Sequence, residues 1–129
     1  MTAVDTNVVV RLWAADDATQ TPSARALFES EQIWIAKTVL LETAWVLRSY
    51  YGFAESVIRD AFVKLLGLRN VHVEDSAAVA AALALIPHGV EFADALHLTS
   101  RPPGSAFVSF DKPFVRRAVR AGTLDVYRM

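Results

Sequence analysis

Short runs rich in β-branched and aromatic residues recur along this chain, and a longer helical pattern separates each from the next. The runs fall at residues 2–5, 32–36 (QIWIA), 70–74 (NVHVE), 106–110 (AFVSF) and 124–127 (LDVY). This alternation constrains the fold more than any other feature. A helix between two strands returns the chain to the end from which it started, so the strands it joins run parallel, through right-handed crossovers. The expected architecture is therefore α/β: a three-layer α/β/α sandwich around a central parallel five-stranded sheet. No internal repeat, low-complexity tract or linker interrupts residues 1–129, which predicts a single domain.

The helical segments carry their own punctuation. Thr21 is the expected N-cap of a first long helix, with Pro22 at its first position. A second starts at Thr38 and stops at Gly52, a residue suited to the left-handed conformation at a helix end, and Gly67 repeats the device for the next. Asp75 or Ser76 caps an alanine-rich helix that Pro87, His88 and Gly89 end. A helix over 91–101 is closed by Pro102, Pro103 and Gly104, and a last one over 113–121 stops at Gly122.

Composition excludes several classes of function. Of the 129 residues 53% are hydrophobic and 21% charged, which describes a folded globule and not a disordered chain. The net charge of −1 gives no global basic field, so any nucleic-acid binding has to come from a local patch. Cysteine is absent. That rules out disulfides, thiolate metal sites and a cysteine nucleophile, and it suits a reducing, cytoplasmic location. The N-terminal MTAVDTN has no basic stretch leading into an apolar run, so no signal peptide is expected. The apolar run at 77–86 is too short to span a bilayer, and no membrane association is expected.

The chemistry rests on acids found where acids are not favoured. Most of the 14 Asp and Glu residues have ordinary places: Asp16 and Asp17 in a loop, Glu29, Glu31, Glu55 and Asp60 on polar helix faces, Glu74 and Asp125 at sheet ends, and Glu91 near a helix N-terminus. Asp5 and Asp111 instead follow the first and fourth strands directly, the position at which open parallel sheets bind ligands. Glu42 interrupts VLLETAWVL and Asp94 interrupts FADALHL, each at a helix start after a turn. Read singly, Asp5 or Asp111 is an ordinary helix cap and Glu42 the polar edge of an amphipathic helix. Read together, acids at one end of a sheet repel each other and lose hydration, so a compensating cation is required. Hard oxygen ligands without cysteine point to Mg²⁺ or Mn²⁺.

The ordered set of Asp5 in VDTNVVV, Glu42 in TVLLETAWVL, Asp94 in EFADALHL and Asp111 in SFDKPF resembles the acidic signature of PIN-domain ribonucleases. It is most similar to the VapC-type toxins of bacterial toxin–antitoxin pairs, and the likeness runs through essentially the whole chain. The resemblance implies that Asp5, Glu42, Asp94 and Asp111 form a metal-binding catalytic pocket. It implies supporting roles for Asn7, two residues after the first Asp, and Ser109, two before the last. It further implies an endoribonuclease that hydrolyses RNA phosphodiester bonds with a metal-activated water, using Mg²⁺ or Mn²⁺. A cognate antitoxin would cover the pocket and the chain would pair as a homodimer, with Trp45, Tyr50, Tyr51, Leu65 and Leu66 as candidate surfaces.

A candidate track for the RNA backbone lies beside these acids. Lys112, Arg116 and Arg120 fall at i, i+4 and i+8 after Asp111, with Arg117 beside them, and Arg11 follows Asp5 at helical spacing. The plain alternative is a solvated basic face. Trp13, Tyr50 and Tyr51 read as packing residues before stacking platforms, and His97 as a structural or rim residue. No Ser–His–Asp context and no glycine-rich phosphate loop is present. Competing functions are a catalytically silent binding module of the same fold, and a phosphatase or receiver-like phosphoryl-transfer protein. The first strand's VDTN lacks the second Asp that such a phosphatase needs.

Overall fold

The computed structural model describes residues 1–129, which divide into two compact units, Met1–Ser76 and Ala77–Met129. In the first, the elements are β1 (Thr2–Ala3), α1 (Thr6–Val10), α2 (Gln20–Ser30), β2 (Ile33–Ile35), α3 (Lys37–Ser49), α4 (Glu55–Leu66) and β3 (Val71–Val73). The strands pair in the order β1-β2-β3, all parallel, with Thr2 opposite Ile33 and Ile33 opposite Val71. Both crossovers step the same way across this ladder, so right-handed connections carry α1 to α4 over one of its faces.

Side-chain periodicity explains why these segments hold their shape. In β2, Ile33 and Ile35 are fully buried and Trp34 between them turns outward, the period of two that a strand imposes. In α3 the buried positions are Leu40, Thr43, Ala44 and Leu47, and in α4 they are Ile58, Ala61, Phe62 and Leu65. Both series follow i, i+3, i+4, i+7, one stripe of a helix. The stripe on α3 leaves Glu42 on the exposed side. Trp13 meets Phe62 with ring centroids 5.9 Å apart, and truncating a buried Phe such as this one costs about 3–5 kcal/mol.

Two helix ends differ from the sequence expectation. The first long helix begins at Gln20, and Thr21 lies buried inside it. The capping is done by Asp17, whose Oδ1 accepts from the backbone N–H of Thr19 (2.9 Å) and of Gln20 (2.6 Å). An upstream carboxylate reaches free N–H groups that a hydroxyl at position 21 cannot, and the dipole favours it further. At the other end of the unit, Gly52 is left-handed (φ 73) and Phe53 N–H returns to the Leu47 carbonyl (2.9 Å) as expected, but Gly67 is right-handed (φ −80). There the chain turns by stacking the Gly67 N–H on the Val63 and Lys64 carbonyls, which needs no positive φ.

In Ala77–Met129 the elements are α5 (Ser76–Leu85, entering from the preceding unit), a 3-10 turn (Ile86–His88), α6 (Phe92–Thr99), β4 (Phe107–Ser109), α7 (Lys112–Arg120) and β5 (Val126–Arg128). Asp75, a candidate cap of α5, is left-handed (φ 50) and bonds Lys37 Nζ at 3.0 Å instead. The Thr99 hydroxyl donates to the Ala78 carbonyl (2.8 Å), tying α6 to α5. Phe107 and Phe114 pack edge to face at 5.8 Å, seating α7 on β4. Strand β5 starts two residues later than expected because Asp125 is left-handed (φ 57), a conformation no strand accommodates.

β4 and β5 pair in parallel, Phe107 opposite Val126. The architecture is thus mixed α/β with parallel strands throughout, as expected. The expected single five-stranded sheet is not what the hydrogen bonds form: they build one ladder of three strands and another of two. Strands of two or three residues offer few backbone groups for lateral pairing, which is the physical reason the ladders stay short. No helix is long and apolar enough to cross a membrane.

Candidate active site

In Met1–Ser76 the site begins where β1 ends. Asp5 is extended (φ −93, ψ 177) and caps α1, its Oδ1 accepting from Val8 N–H at 3.2 Å. Its other carboxylate oxygen meets no protein partner. Glu42 is exposed on α3 and makes no hydrogen bond or ion pair within the protein. The N-terminus of α3 lacks a capping side chain of its own, and Glu74 supplies one from beyond β3, its Oε1 accepting from Lys37 N–H at 2.9 Å. A cleft of about 520 Å³ brings Asp5, Asn7, Arg11 and Glu42 together, with Val39 and Val46 as apolar wall. A second cleft of about 320 Å³, between α1 and α2, shares Asp5, Asn7 and Arg11.

Arg11 governs this region. Its guanidinium donates through Nη1 to Asp16, and through Nη2 to Tyr51 Oη (3.1 Å) and to Asn7 Oδ1 (3.4 Å). Tyr51 Oη in turn donates to Asp16 Oδ2 at 2.8 Å. Burial works against the charge on Arg11, but Tyr51 and Asp16 outweigh it and raise its pKa. The Tyr51 hydroxyl, and with it the Arg11 charge, lowers that of Asp16, while the bond to Asp16 raises that of Tyr51. Asp16 and Tyr51, read from the sequence as a loop acid and a packing or docking ring, are therefore partners of a site residue. The signal that identifies Arg11 as internal is absent from local sequence, since Tyr51 lies 40 residues away.

In Ala77–Met129 the arrangement starts from β4. Asp111 is extended (φ −77, ψ 96) and caps α7, its Oδ1 accepting from Phe114 N–H at 3.0 Å; its other oxygen meets no protein partner. Ser109 Oγ accepts from Asp111 N–H at 3.0 Å and fixes the turn. Asp94 is half-buried in the first turn of α6, where the helix dipole favours a negative charge. A cleft of about 370 Å³ is lined by Asp94 and Asp111 together with Glu91 and Arg117. Arg117 Nη1 reaches the Gly89 carbonyl at 3.4 Å. Gly89 is left-handed (φ 85), and a Cβ there would sit 3.3 Å from Arg117 Cδ, so glycine serves both the turn and the close approach.

One of these lining residues, Glu91, was not among the expected site residues, whereas Arg117 was expected beside the basic track. Glu91 had an ordinary reading as a helix-start acid, although its i, i+3 spacing to Asp94 is the signal that pairs them. Arg117 is exposed like Lys112, Arg116 and Arg120, but it lies three residues after the buried Phe114 and lines the cleft, which those three do not. His97 is exposed, Leu65 is buried in the core and supplies no free surface, and Tyr51 is half-buried with its hydroxyl held by Arg11. Trp45 and Tyr50 remain 60% and 78% exposed. Taken by itself, neither unit gathers three or more Asp, Glu or His side chains closely enough to hold an ion.

The class these features define is an α/β protein with carboxylates placed just beyond the carboxyl ends of parallel strands, each leaving an oxygen unengaged. The PIN domain family matches residues 2–120, and the chain belongs to that family. PIN domains are generally nucleases and typically depend on divalent metal. A comparison with curated proteins finds none that matches.

Proposed function

We propose that this protein is a Mg²⁺- or Mn²⁺-dependent endoribonuclease of the VapC type, the toxin of a toxin–antitoxin pair. One observation carries the reading. Asp5 and Asp111 stand at the ends of parallel strands, each spends one oxygen on the N–H of the next helix, and each keeps the other unengaged.

The donor set fits a hard divalent ion, because every candidate ligand is oxygen and Asp5, Glu42 and Asp111 retain oxygens without protein partners. Asp5, Glu42, Asp94 and Asp111 would hold it. When bound, such an ion lowers the pKa of water and screens phosphate charge. The protein's own contribution is orientation. Asn7, held between Arg11 and Gln20, keeps its carboxamide beside Asp5. Ser109 fixes the backbone of Asp111. Arg117 brings positive charge to the cleft with Asp94 and Asp111, and the exposed Lys112, Arg116 and Arg120 offer phosphate contacts along RNA. Arg11 is committed to Asp16, Tyr51 and Asn7, which makes it a positioning residue in place of the phosphate contact first expected. A cognate antitoxin and a second copy of the chain are the expected protein partners, with Trp45 and Tyr50 as exposed apolar anchors, and the cytoplasm is the expected location.

Purified protein incubated with RNA and Mn²⁺ or Mg²⁺ should cut it, and chelation should stop the cutting. Induced expression of the parent should halt growth while Asp5→Asn and Asp94→Asn do not. Equal toxicity of parent and variants, or intact RNA in every metal, would sink the reading.

A further inference from the structure

The second cleft of Met1–Ser76, about 320 Å³ between α1 and α2, is not used by the acids alone. It shares Asp5 and Asn7 with the acidic cleft, and its remaining wall includes Val8 and Leu27 as well as Gln20 and Ser23. The polar atoms have a fixed sense. A guanidinium only donates, so the Asn7 atom facing Arg11 is its carbonyl oxygen, and its Nδ2 points away to donate to Gln20 Oε1 at 3.2 Å. That leaves the Gln20 amide nitrogen as an oriented donor without a protein partner. Ser23 Oγ donates to the Thr19 carbonyl at 3.1 Å, and its lone pairs remain as acceptors. An apolar wall that includes Val8 and Leu27, with one oriented donor and one acceptor beside it, complements a heteroaromatic ring carrying both kinds of group on its edge, which is how unpaired bases are read.

We propose that this cleft is a nucleobase pocket: it takes an unpaired base of the RNA next to the phosphate at Asp5, and it sets the sequence preference of cleavage. The proposal rests on the nuclease reading, and its test separates the two. Binding is measured by fluorescence anisotropy on four short single-stranded RNAs that differ at one central base, with Ca²⁺ in place of Mg²⁺ to hold cleavage off. The parent should favour one base over the poorest by about tenfold, the scale of one good base contact. Gln20→Ala should shrink that ratio to within about twofold, since the oriented donor is gone. Ser23→Phe, which projects a ring into the cleft from an exposed position, should weaken all four and erase the preference. Both variants lie on the surface, and an unchanged thermal melt confirms their fold.

Equal binding of all four RNAs by the parent overturns the pocket, as does discrimination that survives in either variant. The latter would assign the cleft to an occupant other than RNA. Adding Mn²⁺ to the favoured RNA tests the nuclease reading separately: a base preference without any cleavage supports the pocket and refutes the enzyme.

Discussion

The acidic clefts of Met1–Ser76 and Ala77–Met129 are built on one local device and supported by two different ones. In each, an Asp leaves a parallel strand, caps the next helix through Oδ1 and holds its second oxygen free. Around Asp5 the support is a relay of charged and polar side chains, Asp16, Arg11, Asn7 and Gln20, with Tyr51 bracing the middle. Around Asp111 it is mostly backbone: the Ser109 hydroxyl on Asp111 N–H, and Arg117 resting on the Gly89 carbonyl. The comparison teaches that the same carboxylate placement is reached through side-chain electrostatics in one unit and through turn geometry in the other. The first therefore responds to truncation and acid more than the second.

The largest expected effect tests the shared device. Asparagine caps a helix about as well as aspartate, so Asp5→Asn and Asp111→Asn should each unfold within about 0.5 kcal/mol of the parent. Each should nevertheless lose RNA cleavage by about a thousandfold, the rate equivalent of several kcal/mol of lost charge stabilisation. Parallel melts and cleavage time courses check both halves of that statement. Retained cleavage in Asp111→Asn would reduce this residue to a cap.

The difference between the supports is sharpened by removing each arginine. The Arg11 side chain is 12% exposed and serves three acceptors, so Arg11→Ala should cost about 1–2 kcal/mol in urea unfolding. The exposed Arg117 has one long bond to a carbonyl, and Arg117→Ala should fall within about 0.5 kcal/mol of the parent. Equal losses would erase the contrast. A smaller change is expected from Ser109→Ala, about 0.5–1 kcal/mol for one hydroxyl on a backbone N–H, with slower cleavage as the turn loosens.

The smallest effect is one of pH. The pKa of Asp16 is lowered below its ordinary value of 3.8 by Tyr51 and Arg11. A depressed folded pKa stabilises the protein above the unfolded value, and that stability is lost as pH falls through the folded one. Because Asp16 is exposed to solvent, the loss below about pH 3.8 should be slight. Urea midpoints at successively lower pH should decline less in Arg11→Ala than in the parent, and identical slopes would show the relay to be electrostatically idle.

Part of this was legible in the residues. The buried stripes of α3 and α4, the left-handed Gly52 and the capping positions of Asp5 and Asp111 follow from spacing within one or two turns. Local rules also failed locally. Thr21 yielded the cap to Asp17, and Leu65 proved to be core and not a docking surface, because one helix pattern fits either fate until a neighbour covers it. Arg11, a candidate phosphate contact by spacing, also bonds Tyr51, a partner 40 residues away that no local rule supplies.

By itself, then, the sequence determined the alternation of strand and helix, the parallel sense of the strands, and the four acids that interrupt apolar helix starts or follow strands. Tertiary structure alone decided which side chains answer them. Glu74 reaches the start of α3 across 37 residues, Tyr51 meets Arg11 across 40, and Arg117 returns to Gly89 across 28. Backbone propensity and helix periodicity act over one turn or one strand, whereas these contacts exist only once packing has brought distant segments within hydrogen-bonding distance.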